Sequence, residues 1–369
     1  MKLTIAYIYI IILFMVYSKN LIYLSASRRK EKQLKGGISM KRKSMLLLAL
    51  VLVMSIFVTA CGGDDTPAAE EGINKDEYFI TVATGPTSGL YYPIGGAFSN
   101  VVKNNLGYKS SAQSTGASGE NINLIAEEKA ELAIAMADAV SQAYEGYGAF
   151  EGKEPMTNLT ALMGLYPNYV QLVTTENSGI TKFEDLKGKR VGIGAPNSGV
   201  EIGARSLYEA HGMTYEDSKV DYLNYGEAID QMKNGMVDAA FVTSGIPNAT
   251  IMELGTTNKI VIVPIEGAGA KALIDKYPFF VEAVIPADTY DTGTDTNTVT
   301  VMNILFVRDT LPEDVVYDIT KGIFDNIADI KAAHNTANTH ISLENALKGV
   351  QIPFHPGAEK YYKEMGIIK

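Results

Sequence analysis

Thr84-Gly85-Pro86-Thr87-Ser88-Gly89-Leu90-Tyr91-Tyr92-Pro93-Ile94-Gly95-Gly96 follows the apolar run Tyr78-Phe79-Ile80-Thr81-Val82-Ala83. After it, Leu90, Ile94, Phe98 and Val101/Val102 recur at helical spacing. The stretch therefore reads as a buried strand, a Gly/Ser turn and the start of a helix. Pro93 has no N–H and clashes with the carbonyl four residues back inside a helix, so it belongs in the first turn. The N–H groups just before it have no intrahelical acceptor and point off the helix end. Such an end carries partial positive charge and suits a carboxylate or a phosphate.

The same design recurs three times. Residues 108–113 run into Ser114-Thr115-Gly116-Ala117-Ser118-Gly119, with Ile122, Ile125 and Ala126 as the next apolar stripe. Lys189-Arg190-Val191-Gly192-Ile193 runs into Gly194-Ala195-Pro196-Asn197-Ser198-Gly199-Val200-Glu201, where Ser198 and Glu201 have capping-box spacing and His211-Gly212 marks a stop. Residues 238–243 run into Ser244-Gly245-Ile246-Pro247, with Pro247 suited to a first helical position. Any one of these turns is as readily a plain connection; four together point to one cleft. Glu128-Lys129-Ala130 before residues 132–136, and Lys233-Asn234-Gly235 before residues 237–241, form a weak internal echo. Alternating strands and helices of this length predict two α/β lobes with largely parallel sheets. Ligands in such sheets bind at the carboxyl ends of the strands, where these turns lie.

Upstream, Lys41-Arg42-Lys43, the apolar run 45–58 and Val58-Thr59-Ala60-Cys61-Gly62-Gly63 have the three parts of a signal peptide, with a cysteine at the cut. Residues 40–60 are then a lipoprotein signal, Cys61 the lipid-bearing first mature residue, and 61–75 a flexible tether. Residues 1–39 read as an extension arising from a misplaced start: Lys35-Gly36-Gly37, just before Met40, is what a purine-rich ribosome-binding sequence spells when translated. As the chain has one cysteine, no intrachain disulfide is possible. Beyond residue 60 stand 22 basic and 41 acidic residues, a net charge of −19. That balance argues against nucleic acid and against binding anionic lipid by charge.

The segments 83–96, Thr115-Gly116-Ala117-Ser118 with Asn121, 185–191, Pro196-Asn197-Ser198-Gly199, 244–247 and His355-Pro356-Gly357-Ala358 resemble the solute receptors of the TRAP-associated extracytoplasmic immunogenic (TAXI) family. The resemblance spans about residues 76–369. It implies a fold like the type II periplasmic binding proteins, closing on a ligand between lobes joined by crossing strands. It implies as partners the membrane subunits of a TRAP transporter, often fused and driven by an ion gradient. Its ligands include glutamate and other small carboxylates. Pro86, Ala117 and Met136 depart from the usual pattern. On this basis lobe I comprises 76–164 plus 270–369 and lobe II 165–269, with 162–173 as one crossing. Residues 288–300 read as an exposed loop before a strand at 301–307, and 311–330 and 343–366 as mostly helical.

Roles follow. Gly89, Leu90 and Tyr91 donate backbone N–H groups, and Tyr92 supplies an aromatic wall. Ser118 and Ser198 donate hydroxyls to a carboxylate beside the N–H groups of Gly199 and Val200, while Gly245 and Pro247 let the fourth turn approach closely. Asp138 reads either as a partner for an ammonium or cation or as a solvated turn carboxylate. Arg205 reads as a carboxylate ligand or, more commonly, a salt bridge, and His355 as a turn residue. No cofactor, metal or catalytic role is expected, and a monomer is. The remaining alternatives are a lipoprotein that signals to a membrane partner, and a serine hydrolase using Ser118 or Ser198 with His355. Neither serine sits in a Gly-x-Ser-x-Gly elbow.

Overall fold

The computed structural model describes residues 73–369. The expectations for the extension, the signal peptide, Cys61 and most of the tether lie outside the described residues. Within them, the four strand, turn and helix units all form. The first runs from β1 (Phe79–Ala83) to α1 (Tyr91–Asn100). The second runs from β2 (Lys109–Gln113) to α2 (Ser118–Ala126). Then β3 (Leu132–Met136) leads into α3 (Ala137–Glu145), and a 17-residue strand, β4 (Leu159–Thr175), leaves the first half.

The second half repeats the plan. β5 (Arg190–Gly192) precedes α4 (Gly199–Ala210), and β6 (Lys219–Asp221) precedes α5 (Tyr225–Lys233). β7 (Ala239–Ser244) then leads to α6 (Ala249–Gly255). β8 (Ile260–Val263), α7 (Gly267–Lys276) and β9 (Val281–Ile285) follow. β10 (Thr296–Arg308) returns to the first half, where α8 (Glu313–Asp325), α9 (Ile327–Lys331), α10 (Asn335–His340) and α11 (Pro356–Glu364) complete it.

The sheet path is β2-β1-β3-β10-β4-β7-β5-β6, with β8 on β4 and β9 on β10. β1, β2 and β3 pair in parallel and meet β10 antiparallel. β5, β6 and β7 likewise pair in parallel and meet β4 antiparallel. The two crossing strands pair with each other, from Leu159 opposite Arg308 to Tyr169 opposite Thr300. Each half is thus three parallel strands closed by one crossing strand, which is the two-lobed α/β architecture and gives the internal echo a structural basis.

Apolar burial divides accordingly. In lobe I, Ile80, Ile94, Phe98, Leu162, Leu305 and Ile319 pack on one face of the sheet, and Ile122, Ile125, Val140 and Phe306 on the other. In lobe II, Leu172, Phe183, Leu207 and Phe241 form one cluster and Val173, Ile229, Val242 and Ile262 a second. Both crossing strands feed cores in both lobes, which accounts for their apolar sequence along most of their length.

Three expectations need correction. The helix α7, which precedes the second crossing, places Ala270 and Leu273 in the Leu172 cluster, with Phe280, Val299 and Val301. Residues 270 to about 301 therefore pack with lobe II, and the chain returns within β10 rather than at 270. Residues 296–300, expected in a loop, belong to β10, because β9 supplies them with a pairing partner from Val281 to Ile285. Pro247 is not a first helical residue. It follows a cis peptide bond and precedes Asn248, whose side chain caps α6 by accepting from the Thr250 N–H.

Candidate functional site

Two helix ends from opposite lobes line one cavity. Gly89, Leu90 and Tyr91 bring the start of α1, and Ser198, Gly199 and Val200 the start of α4. Ser198 has the extended backbone of an N-cap, and its Oγ accepts the Glu201 N–H at 3.2 Å. The expected capping box is only half present, since the Glu201 carboxylate turns to Arg205 instead. The hydroxyl proton of Ser198 and the first N–H groups of α4 have no intrahelical acceptor, and by position they face the cavity. Pro93 lies in the first turn of α1.

The walls are Gly85, Pro86, Gly116, Ala117, Met136, Gly194, Ala195, Asn224, Tyr225, Thr243 and Ser244, and the floor is Tyr166 and Asn168 of β4. No Asp, Glu, Lys, Arg or His is among these residues. The cavity volume is about 40 Å³, room for a few water-sized groups.

Behind the floor lies a buried polar network centred on Asn303. The pairing of β10 with β4 shifts register between Met302 and Ile304, so Asn303 sits at a bulge and its side chain is re-aimed. Asn303 Nδ2 donates to the Tyr166 carbonyl at 2.8 Å, while Asn303 Oδ1 accepts from Tyr91 Oη at 2.5 Å and from Asn168 Nδ2 at 3.0 Å. A carbonyl only accepts, so the first bond fixes the amide of Asn303, and the chain of bonds then fixes that of Asn168. Asn168 Oδ1 and the Tyr166 hydroxyl, both buried, are left without partners in the protein. Burial pushes the Tyr91 and Tyr166 hydroxyls well above their ordinary pKa, so both stay protonated. Tyr225 donates to the Thr243 carbonyl at 2.6 Å and holds that wall.

Glycines set how closely the lobes meet. A Cβ on Gly119 of lobe I would lie 2.2 Å from the Asn197 carbonyl oxygen of lobe II. One on Gly199 would lie 2.7 Å from Ser118 Oγ, and one on Gly245 2.8 Å from Leu90.

Of the expected site residues, Gly89, Leu90, Tyr91, Ser198, Gly199 and Val200 line the cavity, but the Gly89 N–H is not free for a ligand, because it donates to the Pro86 carbonyl at 2.9 Å. Tyr92 does not: it is 39% exposed and borders a separate surface hollow with Asp329 and Ala332. Successive helical residues point about 100° apart, and it is Tyr91 that faces inward. Ser118 is fully buried, its Oγ accepting from the Met136 N–H at 3.1 Å, so it buttresses the wall rather than facing the cavity. Gly245 stands behind Leu90 and Thr336, and neither it nor Pro247 is part of the lining.

Asp138 is also outside the lining and is 1% exposed, with neither carboxylate oxygen bonded. This excludes the solvated-turn reading. Loss of water raises its pKa to about 7, opposed in part by its own N–H and that of Ala139, which lie close without making aligned bonds. Arg205 pairs with Glu201 and not with the cavity. His355 caps α11, accepting from the Gly357 N–H at 3.1 Å with Nε2 bonded to the Leu311 carbonyl. Both ring nitrogens are engaged, so it is not a base for either serine.

Tyr166, Asn168 and Asn303 were missed from sequence. The available signal was polar Asn168, beside Pro167, inside a largely apolar strand, since a buried amide demands partners.

Among solved structures, PhnD1 from Prochlorococcus marinus in complex with methylphosphonate is 12% identical at TM-score 0.49, over 79% of this chain and 99% of that one. The periplasmic aliphatic sulphonate binding protein SsuA from Escherichia coli is 13% identical at TM-score 0.38, over 69% and 78%. The substrate binding protein of an amino acid ABC transporter is 13% identical at TM-score 0.44, over 71% and 100%. At such identities the description of the fold rests on the chain's own topology. A family model, by contrast, matches residues 82–366, which takes in both lobes and every element lining the cavity. The chain belongs to the NMT1-like family.

Proposed function

We propose that this protein is an extracytoplasmic solute receptor that captures a small carboxylate between its lobes and presents it to the membrane subunits of a TRAP-type, ion-gradient-driven transporter. The observation that carries the proposal is the convergence of two helix N-termini, one from each lobe, on a single cavity. Each offers unpaired N–H groups and partial positive charge to an anion. Because the donors come from both lobes, the anion is fully coordinated only when the lobes meet. Ligand binding therefore stabilises the closed form by its differential contacts, and the closed form is what the permease recognises.

The TRAP assignment and the lipid anchor at Cys61 rest on the sequence resemblance and the signal-peptide pattern. Glutamate and related amino acids or dicarboxylates are the ligands that resemblance implies. Pro86, Ala117 and Met136, where the sequence departs from the TAXI pattern, all line the cavity, which supports a ligand differing from the family's usual ones. The protein acts as a binding partner, not an enzyme. A thermal-shift screen against organic acids, amino acids, sugars and nucleotides tests the ligand class, since a ligand bound only by the native state raises stability by mass action. Uptake into vesicles carrying the cognate membrane subunits, driven by a sodium or proton gradient and not by ATP, tests the transporter class.

A further inference from the structure

The proposed function gives an anion at the helix ends, and the floor of the same cavity narrows what the rest of the ligand is. Tyr166 and Asn168 lie two residues apart on β4 and both line the cavity. The Tyr166 hydroxyl has no acceptor, and Asn168 Oδ1 has no donor. Their chemistry is not interchangeable. The amide of Asn168 cannot turn over, because its Nδ2 is committed to Asn303 Oδ1, and Asn303 is committed in turn to the Tyr166 carbonyl. The floor therefore presents one fixed acceptor beside one hydroxyl free to donate. A buried polar group left unpaired is costly, so a ligand that satisfies both is favoured over one that satisfies either alone.

A ligand hydroxyl does so, accepting from Tyr166 and donating to Asn168 Oδ1. A keto oxygen satisfies only Tyr166, and a methylene satisfies neither. An ammonium can donate to Asn168, but it needs a compensating negative charge when taken out of water. The cavity lining carries none, and the buried carboxylates Asp138 and Glu201 are both outside it, Glu201 being paired with Arg205.

Resting on the carboxylate reading above, we propose that the site is selective for small hydroxy acids without an amino group, with Tyr166 and Asn168 as the residues that recognise the hydroxyl. The volume of about 40 Å³ favours the smallest members of that class.

The test is a calorimetric titration of the purified protein, unfolded and refolded to release any retained ligand, with each enantiomer of lactate and with pyruvate, propionate and alanine. One lactate enantiomer is expected to bind at least about tenfold more tightly than propionate, pyruvate or alanine, roughly the effect of one unpaired buried group. In Tyr166→Phe the ratio of lactate to propionate affinity falls towards one. In Asn168→Asp, which puts a carboxylate on the floor, the ratio of alanine to lactate affinity rises at least about tenfold. Both are ratios within one variant, so a partly unfolded preparation does not distort them. Alanine, propionate or pyruvate binding as tightly as lactate overturns the hydroxyl assignment while leaving the carboxylate reading intact. If none of these acids nor any larger carboxylate binds, both readings fall together.

Discussion

Asn168 and Asn303 join the two crossing strands by a side-chain hydrogen bond, Asn168 Nδ2 donating to Asn303 Oδ1 at 3.0 Å, directly beneath the cavity. Because β4 and β10 are the strands shared by both lobes, this bond lies at the crossing between them, and it ties the orientation of a cavity residue to the second crossing strand. Asn303→Ala leaves the Tyr91 hydroxyl, the Tyr166 carbonyl and Asn168 Nδ2 without their partner in a buried setting. At roughly 1 kcal/mol per lost bond, the variant should unfold about 3 kcal/mol more easily, with the denaturation midpoint in urea as the readout. A midpoint unchanged from wild type would mean that water replaces the network at little cost.

Gly119→Ala separates closure from stability. Alanine favours a helix over glycine by up to about 1 kcal/mol, and Gly119 lies within α2. Its Cβ, however, would meet the Asn197 carbonyl oxygen at 2.2 Å, a contact between lobes. The expected outcome is a protein at least as thermostable as wild type when free of ligand, with ligand affinity reduced at least about tenfold. Equal affinity would show that the lobes close without this approach.

Asp138 predicts a pH dependence of stability with a definite sign. Its pKa is raised from 3.8 to about 7 by burial, so between those values the folded protein holds a proton that the unfolded chain has released. Stability from this group is therefore fully present below about pH 4, falls as pH rises towards about 7, and levels off above. Asp138→Asn keeps the shape and removes the titration. Relative to wild type it should melt several degrees higher at pH 8 and lose that advantage by pH 4. An advantage that does not shrink on acidification would assign it to something other than the buried charge.

Ser198→Ala removes both the cap on α4 and one hydroxyl at the cavity. The cap accounts for about 1 kcal/mol of stability. The hydroxyl accounts for roughly another 1 to 1.5 kcal/mol of ligand binding. Ser118→Ala, whose Oγ supports the Met136 N–H and lies beside the Tyr91 hydroxyl, should lower stability with little change in affinity, apart from that transmitted through Met136 and Tyr91. Parallel denaturation and titration of the two variants distinguish the roles.

Much of this was legible from local chemistry. Pro93 fixed the start of α1, Ser198 fixed the cap of α4, and the four Gly/Ser turns marked the strand ends at the cleft. Orientation within a helix was harder: Tyr91 and Tyr92 are chemically alike and adjacent, and only the packing of α1 on the sheet decides which one faces inward. The Asn168–Asn303 network was not legible, because the two residues are 135 apart in sequence and meet only through the pairing of β4 with β10. The lobe boundary failed for a similar reason, since the apolar spacing of α7 shows that it packs but not on which core.

The central claim is that two helix N-termini hold a small carboxylate between the lobes. The most direct measurement is calorimetric titration of the refolded, ligand-free protein with a panel of small carboxylates, sugars and nucleosides. The account predicts saturable binding of at least one carboxylate, weakened in Ser198→Ala and in Gly119→Ala. Binding of a sugar or nucleoside with no response to any carboxylate would contradict it.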